Sequence, residues 1–198
     1  MDNVKKDIGI FGINCDSMSL HEFGEYEVGD NLRSALSFVD TQMELSQSTT
    51  KYIKKLDLNL YEGVGKIINI DDYNNGQMSL FDCGIYAYSF GAVPKRIKSG
   101  SYVKMRFYLI FDDGFLWQLT VNGKRLTTVI PDMEHVWEIK DIFVRTGIVE
   151  RGKQYYEDLP VAWVSPKREI YKRIRKTNAR VECGGGHTNN YILFCEMK

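Results

Sequence analysis

Cysteine and histidine come closest together near the end of this chain. Cys183-X₃-His187-X₇-Cys195 places three soft donors in one short stretch, and Cys15-X₅-His21 offers two more near the start. A structural zinc ion takes four such ligands, usually in close pairs of the Cys-X₂-Cys kind, and no such pair exists here. Cys183 and His187 also have the spacing of a thiol nucleophile and its base, but no neighbour stands ready to orient the imidazole or receive an oxyanion. Gly184-Gly185-Gly186 lacks the Lys-Ser/Thr ending and following helix of a nucleotide-binding loop. The stretch reads as a glycine-rich hairpin tip, with cysteines packing as small apolar side chains. Neither a metal nor a cofactor is expected.

The carboxylates give a second candidate. Pro131-Asp132 precedes Glu138-Ile139-Lys140, and this order resembles the core of a large nuclease superfamily. The resemblance implies that Asp132 and Glu138 would bind Mg²⁺ while Lys140 supports the attacking water. It covers ten positions, and the five residues between the acids leave little room for a turn that sets them on adjacent strands. Motifs this short recur by chance. A Mg-dependent nuclease is therefore the third reading, and the chain leans away from being an enzyme.

Two surfaces could bind. Lys167, Arg168, Lys172, Arg173, Arg175 and Lys176 share a stretch with a single acid, Glu169, while Ile170, Tyr171 and Ile174 supply an apolar line. Phosphates would be drawn to such a surface with salt-dependent affinity. The plainer reading is a solvated amphipathic element whose cations pair with the acidic N-terminal half. The other surface is the row Tyr102, Lys104, Arg106 and Tyr108, where rings alternate with cations along one side of a strand. Single-stranded nucleic acids are held by that combination. The row lacks the glycines of the common RNA-recognition signature, and exposed strands carry the same residues for cross-strand pairing.

The elements that position these groups are mostly strands. The spacing predicts three strand-like segments between Tyr102 and Ile130, joined at Asp112-Asp113-Gly114 and Asn122-Gly123. Asp-Gly and Asn-Gly accept the positive φ angles of tight hairpin turns. Val103, Met105, Phe107, Leu109 and Phe111 alternate as a core face, as do Phe115, Trp117, Leu119 and Val121. Further strands are expected at 8–13, at Leu56, Leu58 and Leu60, at 64–70, at 78–90 with a bulge at Gly84, at 136–149, at 155–164, and at 191–197. Residues 71–76 read as a loop and 91–100 as a basic connection. Two helices are expected: about 30–45, capped by Asp30 with Leu32, Ala35, Leu36, Val39 and Met43 on one face, and about 165–176, opened by Ser165-Pro166. The fold class is then α+β and β-rich, an antiparallel meander closing into a small barrel or strongly curved sheet. An oligonucleotide/oligosaccharide-binding type of barrel is one such architecture. A single domain over residues 1–198 is expected, with a possible N-terminal appendage 1–50 and a β-rich body 51–198.

Composition frames the function. The chain has 198 residues, 43% hydrophobic and 13% aromatic, with 26 basic and 26 acidic groups. The neutrality hides an asymmetry. Residues 1–90 carry 7 Lys/Arg against 14 Asp/Glu, and residues 91–198 carry 19 against 12. No apolar run approaches membrane-spanning length, the first residues show no apolar signal core, and no Asn-X-Ser/Thr site occurs. A cytoplasmic protein with four reduced cysteines is expected. The leading expectation is a non-enzymatic accessory protein that binds a protein partner through its surface, without a membrane role. The second is nucleic-acid binding through the basic stretch and the Tyr102–Tyr108 row.

Overall fold

The computed structural model describes residues 9–15, 24–73, 76–111, 120–121, 124–125, 133–148, 163–164, 169–177 and 191–198. Among them the strands are β1 (Ile10–Cys15), β2 (Asn31–Ser34), β3 (Leu36–Leu45), β4 (Tyr52–Lys55), β5 (Leu60–Tyr73), β6 (Gly76–Asp82) and β7 (Tyr86–Phe90). They continue with β8 (Tyr102–Phe111), β9 (Thr120–Val121), β10 (Lys124–Arg125), β11 (His135–Ile148), β12 (Trp163–Val164), β13 (Glu169–Ile174) and β14 (Tyr191–Met197).

Five of these strands close a barrel. β5, β6 and β7 run antiparallel in succession. β7 lies parallel to β3 at Leu36 and Ser37, and β3 runs antiparallel to β8. β8 then pairs with the first half of β5, from Leu60↔Tyr108 to Lys66↔Tyr102, which completes the ring. The 14-residue β5 serves both neighbours because its register shifts between Ile67 and Asn69. A second shift in β3 lies between Val39 and Gln42. Such extra residues bend and twist a strand, as closure of so small a ring requires. From β8 the sheet continues through β1, β14, β11 and β13 to β12, with β2 on the edge of β11.

The expected core face of β8 is present. Val103, Met105, Phe107 and Leu109 are buried, and Lys104 and Arg106 between them are exposed. Phe107 stacks on Phe38 with ring centroids 3.9 Å apart. Phe11 meets the edge of Trp137 at 5.7 Å and tilts against Tyr61 at 5.9 Å, so one core spans the barrel and the adjoining strands. A smaller cluster of Ala35, Met78, Leu80, Tyr88 and Met133 covers the outer side of the β6–β7 hairpin.

Neither expected helix is present, and the described residues are β throughout rather than α+β. Residues 31–45 form β2 and β3. The positions that fit a helical face fit a strand as well, because Ser34, Ala35, Leu36, Ser37 and Phe38 are all buried and a strand covered on both faces needs no alternation. Phe38, Val39 and Thr41 favour the pleated sheet, and β7 and β8 supply ladders on both edges of β3. The second helix is replaced by β13, while Ser165, Pro166, Lys167 and Arg168 lie outside the described residues. Ile170 and Tyr171 are buried in succession where β11 shifts register between Arg145 and Gly147.

Smaller differences have equally local causes. Residues 78–90 form the β6–β7 hairpin, and Gly84 sits in its turn at φ 94°, donating to Asp82 Oδ1 at 3.0 Å. The leucines at 56 and 58 belong to the β4–β5 turn, where the amides of Leu56 and Asp57 donate to the Leu60 carbonyl. The segment expected as a loop at 71–76 is mostly ladder. β9 and β10 pair across Asn122-Gly123 as a separate two-stranded ribbon, whereas β8 takes β1, β3 and β5 as partners. Residues 112–119 and 126–130 lie outside the described residues.

Candidate functional site

The outward row of β8 is the polar surface that the fold builds most fully. Strand alternation turns Tyr102, Lys104, Arg106 and Tyr108 away from the core, and antiparallel register sets partners beside each of them. From β5 come Lys66 opposite Tyr102, Val64 opposite Lys104, Glu62 opposite Arg106 and Leu60 opposite Tyr108. From β3 come Glu44 opposite Lys104 and Gln42 opposite Arg106. β4 extends the surface with Tyr52 opposite Val64 and Lys54 opposite Glu62. Directly opposed residues share a face, so these side chains form one field on the barrel exterior.

Glu62 lies at its centre. Lys104 Nζ is 3.2 Å from Glu62 Oε2, and the Tyr52 hydroxyl donates to Glu62 Oε1 at 3.3 Å. The Lys104 ammonium holds the Glu62 carboxyl below its ordinary range, and Glu62 in turn raises Lys104. The Tyr52 phenol is pushed up first by burial and then by the Glu62 charge. Lys54, Lys104 and Arg106 are exposed, while Tyr52, Tyr102 and Tyr108 are half-buried beside them. Four cations (Lys54, Lys66, Lys104 and Arg106) share the field with two acids, Glu44 and Glu62. Such a field offers ring faces, aliphatic stems and charge-assisted donors, which suit recognition rather than bond-making. Among the described residues no group of three or more His, Cys, Asp or Glu could hold a metal ion.

The remaining sequence candidates lie elsewhere. Lys172 and Arg173 sit on β13, with Arg175 and Lys176 just after it. In strand order β11, β14 and β1 stand between β13 and β8, so the two basic surfaces are not on neighbouring strands. Arg173 Nε binds Asp141 Oδ1 at 2.8 Å, and Lys176 Nζ lies 3.2 Å from Glu25. Lys167 and Arg168 are outside the described residues.

Glu138 and Lys140 are both on β11. Lys140 Nζ lies 2.8 Å from Glu138 and 3.0 Å from Glu196, and Lys198 Nζ lies 2.8 Å from Glu138. Lys140 first, then Lys198, holds the Glu138 carboxyl down at about 2. Asp132 is outside the described residues, as are His21, Cys183 and His187. Cys195 is buried in the core and burial pushes its thiol well up.

Tyr52, Lys54, Glu62 and Lys66 were not among the residues singled out from the sequence. Their local signal is the polar alternation around Ile53 and Gly63, which marks outward positions on β4 and β5. That those strands flank β8 is a long-range fact with no local mark. No family model matches the chain, and neither the curated proteins nor the solved structures contain a match.

Proposed function

We propose that this chain is a non-enzymatic binding protein that engages a protein partner through the β4–β5–β8 exterior. The observation that carries the reading is the field of three half-buried tyrosines, Tyr52, Tyr102 and Tyr108, set among Lys54, Lys66, Lys104 and Arg106 around Glu62. Tyrosine and arginine concentrate interface energy because they bring large contact area with few rotatable bonds and directed donors. Excess positive charge favours a partner with an acidic patch, by steering encounter and fixing orientation. Glu62 and Glu44 temper that charge and make the field less suited to a phosphate backbone, which calls for unopposed cations. An intracellular setting belongs to the same proposal, since Cys83 and Cys195 are free thiols.

The test is affinity capture with three forms of the full chain. Wild type is expected to retain a protein partner that Arg106→Glu and Tyr108→Ala each bind about tenfold or more weakly, with unchanged thermal midpoints. Equal retention of that partner by both variants overturns the reading. So does capture of nucleic acid in its place, recognised by a steep fall in affinity with salt.

A further inference from the structure

We infer that the open edge of β4 receives an extended acidic segment of the partner as an added antiparallel or parallel strand. The inference rests on the proposed function and names the partner's form and chemistry. Among the described residues β4 pairs with β5 alone, and its other side carries no strand. The hydrogen-bond phase of that pair is fixed at the turn, where the Leu56 amide donates to the Leu60 carbonyl at 2.8 Å. Hydrogen-bonded and non-hydrogen-bonded positions alternate along an antiparallel ladder. Lys54↔Glu62 and Tyr52↔Val64 are therefore the bonded pairs, and Ile53 and Lys55 direct their N–H and C=O groups to the open side. A polypeptide satisfies such a row by strand addition, with main-chain bonds giving affinity and alternate side chains giving selectivity.

The side chains select the occupant. Lys54 is exposed on the outer face, beside Lys104 and Arg106, with Glu62 as the acid among them. Acids on an incoming strand at positions opposite Lys54 and Tyr52 would point into this field. Ile53, on the alternate face, is half-buried against the core and calls for an apolar residue opposite. Lysines on an edge strand ordinarily keep other strands away. Here they bar a second copy of this chain, whose own Lys51, Lys54 and Lys55 would be set against them, and they leave an alternating acidic/apolar strand favoured.

The probe is a fluorescein-labelled heptapeptide alternating glutamate and valine, titrated with the full chain at low salt, with a lysine/valine peptide as control. The anisotropy is expected to rise with the acidic peptide and stay flat with the basic one. Ile53→Pro removes an outward amide and no β4–β5 ladder bond, and it is expected to weaken binding about tenfold or more. Wild type supplies a readout independent of that variant's folding. On peptide addition the amides of Ile53 and Lys55 gain protection from hydrogen exchange, and those of Tyr52 and Lys54, already bonded to β5, do not. A flat titration, or protection that leaves Ile53 and Lys55 unchanged, overturns the edge inference. If that happens while Arg106→Glu and Tyr108→Ala still weaken partner capture about tenfold or more, the wider reading survives without it. Equal partner capture by both variants removes the wider reading itself.

Discussion

A side chain at Gly12 would overlap the Leu58 carbonyl oxygen, because the β4–β5 turn lies across the outer side of β1. The same place is fastened by Tyr61, whose hydroxyl accepts from the Gly12 amide at 2.6 Å and donates to the Gly12 carbonyl at 3.3 Å. Asn59 adds a side-chain bond to Asn14 at 2.6 Å. Gly12→Ala should cost about 1–3 kcal/mol through forced displacement of this turn. Tyr61→Phe should cost about 1–3 kcal/mol by leaving a buried amide without its acceptor. Urea unfolding measures both, and a Gly12→Ala chain as stable as wild type would contradict this packing. Glu138 makes a pH prediction. Its carboxyl titrates near 2 in the folded chain, below the ordinary 4.5, so its pairing stabilises the fold above about 4.5 and that contribution fades as pH falls toward 2. Glu138→Gln should therefore show a smaller drop in thermal midpoint between neutral pH and pH 3 than wild type. The effect is small because the pair is open to solvent.

At the scale of elements, β8 is the strand on which the barrel turns, since β3 takes one edge and β5 the other. Phe107 joins them from inside, stacked on Phe38 and facing Tyr61 at 6.0 Å. Phe107→Ala should destabilise by about 3–5 kcal/mol, read from the shift in the denaturation midpoint; a loss under about 1 kcal/mol would show that the stack is not central. The face that β8 buries was legible from its residues, because strict alternation survives wherever one side meets core and the other water. The character of residues 31–45 was not. Leu32, Ala35, Leu36, Val39 and Met43 satisfy a helical spacing, and only the flanking ladders from β7, β8 and β11 decide for strand. Helical propensity is worth tenths of a kilocalorie per residue, less than the ladder and burial that replace it. The candidate field shows the same division. Its β8 row was visible in sequence, while Glu62 and Lys66 join it through pairings with Arg106 and Tyr102, 44 and 36 positions away, and Tyr52 and Lys54 join through β5.

Over the whole molecule the two oppositely charged halves of the chain meet at particular contacts. Lys104 reaches Glu62, Lys176 reaches Glu25, and Arg33 lies 3.2 Å from Glu134. The halves are also joined through a shared interior that holds Cys15, Cys83 and Cys195. Burial pushes the Cys83 and Cys195 thiols upward, which suppresses the reactive thiolate. These three cysteines should resist alkylation in the native chain and react together in urea, as peptide mass spectrometry would record. Native labelling of Cys83 at a rate like that of a free thiol would contradict the burial.

Alone, the sequence determined the alternating faces of β8, the pairing of β9 with β10 around Asn122-Gly123 and the strand at Tyr191–Met197. These are local properties, written in side-chain period and in residues that accept unusual backbone angles. Which strands lie side by side was decided by the tertiary structure: β8 between β3 and β5, β3 parallel to β7, and β4 beside β5 alone among the described residues. Ladder bonds join backbone groups that every residue carries alike. Their choice of partner depends on closing a common core over long stretches of chain, and no short stretch of sequence contains that information.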